Sequence, residues 1–507
     1  MALKANLAAN FVGQGWRVLM ALAFVPLYIR YLGIEAYGLI GVFAVLQAWL
    51  GLLDMGMRPT LVREMARFTG GAHDARTIWD LLRSVEVLTI AIATLVAIGV
   101  WAASGWLASN WVQSESIPTA TVAQAFALMG WVTALQFLES IYSSSIAGLQ
   151  RQVVQNAVAS GVATLRGLGA VAVLAWASPT ITAFFLWQGL VSVVAVLAYA
   201  AVVYRVLPPS PVRAEFSVIA LKGIGRYAGG MVGITLLSLL LTQVDKLLLS
   251  RLLPLEQFAY YALAGVVAAG LGALCAPIPA AFYPRFTQLV SEAPDRETLP
   301  AIYHLAAQLV TILMGAAAVI LIVFGDRVLW IWTQDRILTA NVAPLLAVIA
   351  LGTLLNGLMW IPYYLQLAHG WTSLTIKVNI AAVAVLIPAI LWAVPAYGAI
   401  GAAWAWVALN VGYVLFNIHF MHRRLLPTEK WRWYFQDVGI PLAAALSTAS
   451  VLKWLMPANN GVVGEMGVLL LSSGAVLLMA GLSANRVRYE IREHTWVRGR
   501  LANRMRK

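Results

Sequence analysis

The sequence predicts an all-α integral membrane protein with about 14 transmembrane helices. Of its 507 residues, 61% are hydrophobic and 11% are charged, and the mean hydropathy is +0.81. So few polar residues cannot cover a water-soluble globule of this length. The apolar residues form runs of roughly 20 without strict alternation, which is the length that a membrane-spanning helix needs and which excludes a β-barrel.

The apolar runs are numbered here as spans 1 to 14, and each is long enough for one transmembrane helix. They cover approximately residues 10–31, 38–54, 84–108, 119–149, 153–175, 180–204, 228–250, 258–282, 302–325, 341–368, 373–394, 398–421, 437–456 and 462–484. Span 1 contains Arg17 and Pro26, and no small-residue cleavage site follows it. We therefore expect a retained helix rather than a cleaved signal peptide.

Lysine and arginine lie mostly on one side of the predicted spans. With a cytoplasmic N-terminus, the outer positions hold only Arg30, Arg251, Arg327, Arg336 and Lys453. Cytoplasmic loops of membrane proteins carry an excess of these residues. Both termini are therefore expected in the cytoplasm, and this topology explains the net charge of +13 without a nucleic-acid partner.

A short stretch of the sequence occurs twice. RYLGIEAYG at residues 30–38 returns as RLLPLEQFA at residues 251–259, and each copy follows the first helix of a six-helix set. This predicts two six-helix lobes, residues 1–208 and 209–430, related by a pseudo-twofold axis along the membrane normal. Two C-terminal helices, within residues 431–485, and a basic cytoplasmic tail, residues 486–507, lie outside the repeat.

Span 1 carries a polar stripe. Asn10, Gln14 and Arg17 recur at i, i+4 and i+7, which places them on one face of a helix. A guanidinium in hydrocarbon costs about 3 kcal/mol or more, so this face should contact protein or water. Alternatively, Arg17 extends its head group to the cytoplasmic surface, about 10 Å from its position in the helix.

Three more cations lie within predicted spans. Arg166 lies beyond the middle of span 5, where neither surface is easily reached. Lys246, near the outer end of span 7, fits an interface anchor equally well. Lys377 lies near the inner start of span 11, so its side chain is expected to extend to the membrane surface rather than into a cavity.

The acids at this depth are fewer, Glu139 in span 4 and Asp245 in span 7. The buried charge is therefore mainly cationic, which favours an anion with several oxygens because arginine binds phosphate bidentately. Glu139 and Asp245 are also the candidates for ion or proton coupling, although a structural ion pair explains them as well. Asn410 in span 12 offers an amide to a ligand or serves helix packing.

Other charged groups are expected near water. Asp54 and Glu86 lie at inner ends of spans, where basic neighbours can pair with them in water. His422 fits a basic surface at the inner end of span 12. Spans 13 and 14 are expected to carry almost no buried charge. The longest outer loop is expected around residues 326–341.

The sequence lacks the motifs of several enzyme classes. It contains no GxxxxGK[ST] phosphate loop, no HExxH and no GxSxG. Cys275 is the single cysteine, so neither an intramolecular disulfide nor a cysteine metal cluster is expected. An outer loop of fewer than about 20 residues also counts against a membrane glycosyltransferase or polymerase. We expect a transporter rather than an enzyme, with no cofactor or metal.

Two stretches resemble a known family. The region from ANFVGQGW to LVREMAR, residues 9–67, resembles the N-terminal region of Wzx-type O-antigen flippases. QVDKLLLSRLLPLEQFAYYALA, residues 243–264, resembles the start of their second lobe. These flippases belong to the polysaccharide transport family of the multidrug, oligosaccharidyl-lipid and polysaccharide (MOP) exporter superfamily.

The resemblance implies a MATE-like MOP fold and a bacterial inner-membrane flippase. Such a protein moves an undecaprenyl-pyrophosphate-linked oligosaccharide to the periplasmic leaflet by alternating access through a cationic central cavity, whose matching positions are Arg17, Arg166 and Lys246. It also implies a proton or sodium gradient as energy source, and a polysaccharide polymerase and a chain-length regulator as partners. Many members have twelve helices, so a lipid II flippase or another MOP exporter is the alternative.

Overall fold

The computed structural model describes residues 2–208, 214–291, 298–456 and 461–490, without the side chains of residues 2–8, 11 and 219–234. Regular structure in these residues is helical, apart from one isolated bridge between Gln113 and Pro254. The α-helices are α1 (Ala2–Ala23), α2 (Val25–Leu32), α3 (Ile34–Leu50), α4 (Met57–Thr69), α5 (Ala75–Trp106), α6 (Thr119–Gly148), α7 (Gln152–Ala172), α8 (Ile181–Val206), α9 (Val218–Leu252), α10 (Leu255–Cys275), α11 (Pro277–Ser291), α12 (Thr298–Thr333), α13 (Arg336–Leu358), α14 (Trp360–Ala368), α15 (Ser373–Tyr397), α16 (Ala399–Gly412), α17 (Ile418–Leu425), α18 (Lys430–Arg432), α19 (Ile440–Leu455) and α20 (Val462–Ser483).

Thirteen helical segments of the described residues are long and apolar enough to cross a membrane. They are Val12–Leu32, Ile34–Asp54, Ala75–Trp111, Thr119–Gly148, Gln152–Ala177, Ile181–Val206, Leu255–Ser291, Thr298–Thr333, Arg336–Ala368, Ser373–Tyr397, Ala399–Leu425, Lys430–Leu455 and Val462–Ser483. Each coincides with one predicted span. Span 7 is not among these thirteen segments. It lies within α9, and the structure does not describe the side chains of residues 219–234 in this helix. The all-α membrane class is confirmed, and a total of about 14 spans is compatible with it.

Several spans are broken helices, and prolines lie at or just after the breaks. Span 1 consists of α1 and α2, with the break at Phe24, just before Pro26. Span 8 breaks before Pro277, and span 10 breaks at Met359, just before Pro362. Proline lacks an N–H and clashes with the preceding turn, which ends or kinks a helix. The break in span 1 separates the polar part of α1 from the remainder of the span.

The chain divides into two units, Met1–Ala259 and Tyr260–Lys507, each with apolar cores of its own. The division falls within α10, whereas the sequence repeat places a lobe boundary between residues 208 and 209. The first division reflects packing and the second reflects sequence repetition, so one does not test the other. The two six-helix lobes and the separate pair of C-terminal helices therefore stay predictions. Residues 491–507 of the predicted tail lie outside the described residues.

The first unit is built around α5, α6 and α8. Leu82 of α5, Ile141 of α6 and Val203 of α8 are fully buried in one core. α4 packs on α6 at Gly148, where an added Cβ would lie 2.6 Å from the Val62 carbonyl oxygen. The small residue lets the two backbones approach closely. The segment after span 2 is therefore a helix held against the bundle rather than a free loop.

Two acids at the ends of spans are buried. Asp54 is 6% exposed and Glu86 is 3% exposed. Both acids pair with arginines. Arg58 Nε lies 3.6 Å from Asp54 Oδ1, and Arg83 Nη1 lies 3.3 Å from Glu86 Oε2. The Tyr204 hydroxyl, at the end of α8, also donates to Glu86 at 2.5 Å. The expectation of pairing in water is wrong because neighbouring helices cover these carboxylates.

The second unit packs α13, α19 and α20 against α12. Small residues of α19 and α20 contact the larger apolar residues of α12 in one core, which lets three long helices approach closely. The members fully or almost fully buried are Ala316, Val319, Phe324, Ala445, Ala449, Val476 and Ala480.

The prediction of a long outer loop around residues 326–341 is wrong, because most of these residues are helical. α12 extends to Thr333, and α13 begins at Arg336. Asp335 caps α13 by accepting hydrogen bonds from the N–H groups of Ile337, at 2.9 Å, and Leu338, at 3.0 Å. Such a cap satisfies donors that the first turn of a helix leaves unpaired. The apolar run ends early, but the helix continues through its charged end.

The two copies of the short repeat have the same local structure. Within residues 30–38, α2 ends, Gly33 makes the turn at φ +82°, and α3 begins. Within residues 251–259, α9 ends and α10 begins after a turn of similar length. Glu35 and Glu256 both lie in the first turn of the following helix. The repeat is therefore present in the local structure, and the symmetry axis stays a prediction.

Candidate functional site

The polar stripe of α1 contacts α7. Arg17 donates from Nη1 to Asn156 Oδ1 at 2.9 Å and from Nη2 to Gln14 Oε1 at 2.8 Å. Asn10 donates to Gln152 Oε1 at 2.7 Å and accepts from Asn156 Nδ2 at 2.6 Å. Asn10 and Arg17 thus have polar partners on α7, whereas Gln14 is bonded within α1, and Asn10 and Gln14 are exposed.

A glycine allows α1 and α7 to approach each other beside these hydrogen bonds. A Cβ added at Gly13 would lie 2.4 Å from Asn156 Oδ1, which is the atom that accepts from Arg17. No real Cβ contact is this short, so any larger residue would displace the amide. At this contact between α1 and α7, the close approach of the backbones at Gly13 and the hydrogen bond from Arg17 to Asn156 therefore occur together.

Arg166 of α7 is paired with an acid. Its Nη2 lies 2.6 Å from Glu139 Oε2 in α6 and 3.1 Å from Ser192 Oγ in α8. The side chains of Arg166 and Glu139 are 26% and 16% exposed. The Nε of Arg166 is buried and has no hydrogen-bond acceptor among the described residues. The guanidinium therefore has a carboxylate partner, and its buried Nε is a donor without an acceptor in the described part of the chain.

These groups lie in one polar region of the first unit. Tyr199 of α8 interacts electrostatically with Glu139, Arg166 and Arg17. Within the part of the chain that the structure describes, the hydrogen-bond partners of Arg17 are neutral amides. Arg166 is paired with Glu139 and Arg17 is bonded to amides, so these three charged groups together carry a net charge of +1. We call Arg17, Asn156, Glu139, Arg166 and Tyr199 the Arg17–Arg166 region.

The polar face of α6 connects this region to two other helices. Gln136 accepts a hydrogen bond from Gln47 of α3. Ser143 accepts one from Gln155 of α7 at 3.1 Å. With Glu139 between them, these residues give α6 a continuous hydrophilic face inside the unit. The face supplies amide and hydroxyl groups of the kind that bind phosphate or sugar oxygens.

Lys246 and Asp245 lie on α9 in the first unit, and both are half-buried. Lys246 Nζ donates to Gln243 Oε1 at 3.3 Å, one turn away on the same helix. Neighbouring residues on one helix point in different directions. A part for either residue in a ligand site stays a prediction.

Lys377 and Asn410 lie in the second unit. Lys377 is exposed on α15. Asn410 of α16 is fully buried, accepts from Asn356 Nδ2 at 2.9 Å and donates to the Trp406 carbonyl oxygen at 2.8 Å. The hydrogen bond from Asn356 joins α13 to α16, which is the packing alternative for Asn410, whereas the bond to Trp406 lies within α16. Ligand contact by either residue stays a prediction.

Sequence reasoning missed a buried polar cluster in the second unit. Gln308 of α12 donates to Asp437 Oδ1 at 2.8 Å and to Asn485 Oδ1 at 2.7 Å, and His304 also contacts Asp437. The available signal is the stripe His304, Gln308 and Thr311 at i, i+4 and i+7 in an otherwise apolar span. The partner Asp437 lies 133 residues from His304, so spacing alone does not reveal the cluster.

Spans 13 and 14 carry buried charge, contrary to expectation. Asp437 is fully buried, and Glu465 is 2% exposed. Glu465 Oε2 lies 3.3 Å from Nη1 of Arg327, which is itself 6% exposed. His422 is also buried, with Nε2 3.3 Å from the Tyr303 hydroxyl, rather than on a basic surface. The expectations fail because these span ends face other helices.

Comparisons with known proteins agree on one kind of molecule. A family model described as "Polysaccharide biosynthesis protein" matches residues 3–290. A Shigella flexneri protein described as "Putative O-antigen transporter" is 21% identical over 406 residues, which cover 80% of this chain and 94% of that protein.

Solved structures share the fold. The lipid II flippase MurJ, in an inward closed conformation, superposes with a TM-score of 0.70 at 13% identity, covering 94% of this chain and 97% of that one. An inward-facing multidrug resistance MATE family transporter of the MOP superfamily has a TM-score of 0.61 at 15% identity, covering 80% and 95%. The predicted MATE-like MOP fold is confirmed.

Proposed function

We propose, from the premise that this chain belongs to the polysaccharide biosynthesis protein family, that it is a flippase for a lipid-linked oligosaccharide. Its cargo is an undecaprenyl-pyrophosphate-linked oligosaccharide, such as an O-antigen repeat unit. The protein moves this cargo from the cytoplasmic to the periplasmic leaflet by alternating access. The similarity to the Shigella flexneri protein described as an O-antigen transporter supports a transporter of this class rather than a glycosyltransferase.

The observation that carries the proposal is the cationic balance of the Arg17–Arg166 region. Glu139 pairs with Arg166, Arg17 is bonded to amides within the described residues, and the buried Nε of Arg166 lacks an acceptor there. A pyrophosphate offers several anionic oxygens, which guanidinium groups bind in bidentate pairs and more strongly away from water. The region can therefore take the head group while the sugars and the prenyl chain extend from it.

The geometry suggests that Arg166 exchanges Glu139 for the pyrophosphate when the cargo binds and returns to Glu139 when the cargo leaves. Pyrophosphate oxygens compete with Glu139 Oε2, 2.6 Å away, for the same guanidinium. Binding draws Arg166 from Glu139 and favours protonation of that carboxylate, whereas release restores the ion pair. This exchange lets a proton gradient drive the cycle, and a sodium gradient is the alternative energy source.

The proposal is tested by deleting the gene and identifying the undecaprenyl-linked intermediate that accumulates in the cell. We expect a complete repeat unit on undecaprenyl pyrophosphate at the cytoplasmic leaflet and loss of surface polysaccharide. The wild-type gene should restore export, and Arg166→Ala should not. Arg151→Ala, a change in an exposed arginine just before the same helix, is the matched control and should export normally. Normal surface polysaccharide in the deletion strain would contradict the proposal.

A lipid II flippase is the second candidate. The MurJ structure covers 94% of this chain, whereas the MATE transporter covers 80%. Lipid II also carries a pyrophosphate, so the Arg17–Arg166 region suits both cargoes. The same deletion experiment separates them, because accumulation of lipid II with normal surface polysaccharide supports this candidate.

The proposed role also sets location and partners. The protein lies in the bacterial inner membrane with both termini in the cytoplasm, in keeping with the positions of its basic residues. A polysaccharide polymerase and a chain-length regulator would use the repeat unit after its transfer. Reporter fusions at the two termini test the orientation, and a periplasmic signal from either fusion would contradict it.

A further inference from the structure

A buried histidine of the second unit lies between two carboxylates. His304, near the start of α12, is 0% exposed. Its Nδ1 contacts Asp437 Oδ2, and its Nε2 lies 2.9 Å from Glu429 Oε2. Asp437 is also 0% exposed, and the side chain of Glu429 is 18% exposed. We call these three residues the His304 triad.

The triad requires one extra proton. A neutral imidazole has one N–H and one acceptor nitrogen, whereas an ionised carboxylate only accepts. With both ring nitrogens against carboxylates, one of the two contacts would join two acceptors unless another proton is present. That proton lies on the second ring nitrogen or on one carboxylate. Direct contact between nitrogen and oxygen leaves no space for a metal ion between them.

The surrounding charges make this proton important for the balance of the cluster. Arg432 Nη1 lies 3.4 Å from Glu429 Oε2. With the proton present, the triad carries one net negative charge, which Arg432 balances. Without it, one further negative charge stays uncompensated beside a fully buried carboxylate, which is costly. Burial is the largest single influence and raises the pKa of Glu429, but the hydrogen bond and charge of His304, the hydrogen bond from Thr428 and the charge of Arg432 together lower it.

Other polar and titratable groups around the triad have partners of their own. Gln308 donates to Asp437 Oδ1 at 2.8 Å, and Lys430 Nζ contacts His419 Nδ1 at 3.0 Å. His422 contacts the Tyr303 hydroxyl at 3.3 Å, so it does not share the carboxylates. Among the residues that the structure describes, the groups around the triad are Tyr303, Gln308, His422, Thr428, Lys430, Arg432 and Tyr434.

We propose that the His304 triad is a proton-binding site that fastens the last two spans to α12. Asp437 lies at the start of span 13, and Gln308 joins it to Asn485, just after α20. The proton thus acts directly on the start of span 13 through Asp437, and Gln308, which bonds both Asp437 and Asn485, connects the segment after α20 to the same cluster. The partly exposed Glu429 gives the proton a path to water at the end of α12 that the charge distribution places in the cytoplasm.

The other end of the same helices provides an internal reference. Arg327 of α12 pairs with Glu465 of α20 at 3.3 Å and donates to the Met456 carbonyl oxygen at 2.5 Å. This contact needs no histidine proton. Raising the pH should therefore loosen spans 13 and 14 at the His304 end and leave the Arg327 end in place.

Hydrogen exchange of the purified full-length protein in detergent tests the proposal without any cargo. Amide exchange is followed by mass spectrometry from about pH 6 to about pH 9 and corrected for the base-catalysed intrinsic rate. We expect protection of residues 437–445 and 480–485 to fall about tenfold or more as the pH rises, because the triad loses its proton. Protection around Glu465 should stay constant.

Two variants sharpen the test. Asp437→Asn replaces the buried carboxylate by an amide that can donate to a neutral imidazole, so no extra proton is needed and the pH dependence should disappear. His422→Gln changes another buried histidine of the same unit, whose partners are a hydroxyl and a carbonyl, and should keep the pH dependence.

Two outcomes would overturn the proposal. One is wild-type protection at the His304 end that does not change across this pH range, which decides the matter even where Asp437→Asn fails to fold. The other is an Asp437→Asn protein with the wild-type pH dependence. Neither measurement involves transport, so the result is separate from the fate of the proposed function.

Discussion

Replacing Arg166 by alanine tests whether its guanidinium serves the fold, the cargo or both. The change leaves Glu139, which is 16% exposed, without its partner at 2.6 Å. Removing one member of a buried ion pair costs about 3–5 kcal/mol, since the other charge stays desolvated. Because 26% of the Arg166 side chain is exposed, we expect the lower end, about 3 kcal/mol.

A second change separates the two roles. In the double variant Arg166→Ala with Glu139→Gln, no buried charge is left unpaired, so most of the about 3 kcal/mol should be recovered. Transport should stay lost, because the Arg166 guanidinium that would bind the pyrophosphate is still missing. Stability is measured by unfolding in detergent with tryptophan fluorescence, and transport by surface polysaccharide in the deletion strain at matched protein levels. Arg151→Ala should leave both unchanged.

One result would refute this reasoning directly. Recovery of both stability and surface polysaccharide in the double variant would show that Arg166 only neutralises Glu139. Full export by Arg166→Ala alone would remove the residue from the mechanism as well. A single variant that is as stable as the wild type would instead contradict the ion pair as a source of stability.

Four further predictions concern α1, the two deep carboxylates and the last two helices. Arg17→Ala should abolish export, and partial export by Arg17→Lys would show that charge rather than the bidentate fork matters. Gly13→Ala should cost about 1–3 kcal/mol, because its Cβ meets a side-chain oxygen at 2.4 Å, whereas Gly15→Ala, with open space, should cost little. Glu139→Gln or Asp245→Asn should remove the response of flipping in liposomes to an imposed pH gradient, and a wild-type protein indifferent to that gradient would exclude proton coupling. If α19 and α20, which lie outside the sequence repeat, form a groove for the long prenyl chain of the cargo, a photo-reactive prenyl probe should label one of them, and labelling of other helices only would exclude this groove.

The position of the stripe on α1 is a property that the sequence determines by itself. Asn10, Gln14 and Arg17 recur at helical spacing, and polar groups in a membrane must face protein or water. These rules apply within one helix, so they predict the contacting face without knowledge of the partner. The membrane class and the spans follow in the same way from run length and hydropathy.

The partner of each polar group is decided by the tertiary structure. Arg166 and Glu139 lie 27 residues apart on different helices, and His304 and Asp437 lie 133 residues apart. Periodicity shows which side of a helix is polar, but helix packing determines which other helix it meets. Asp437 and Glu465 look solvated in sequence because they lie at the ends of spans. They are buried because α12 packs against those ends, and long-range packing of this kind leaves no signal in residue spacing.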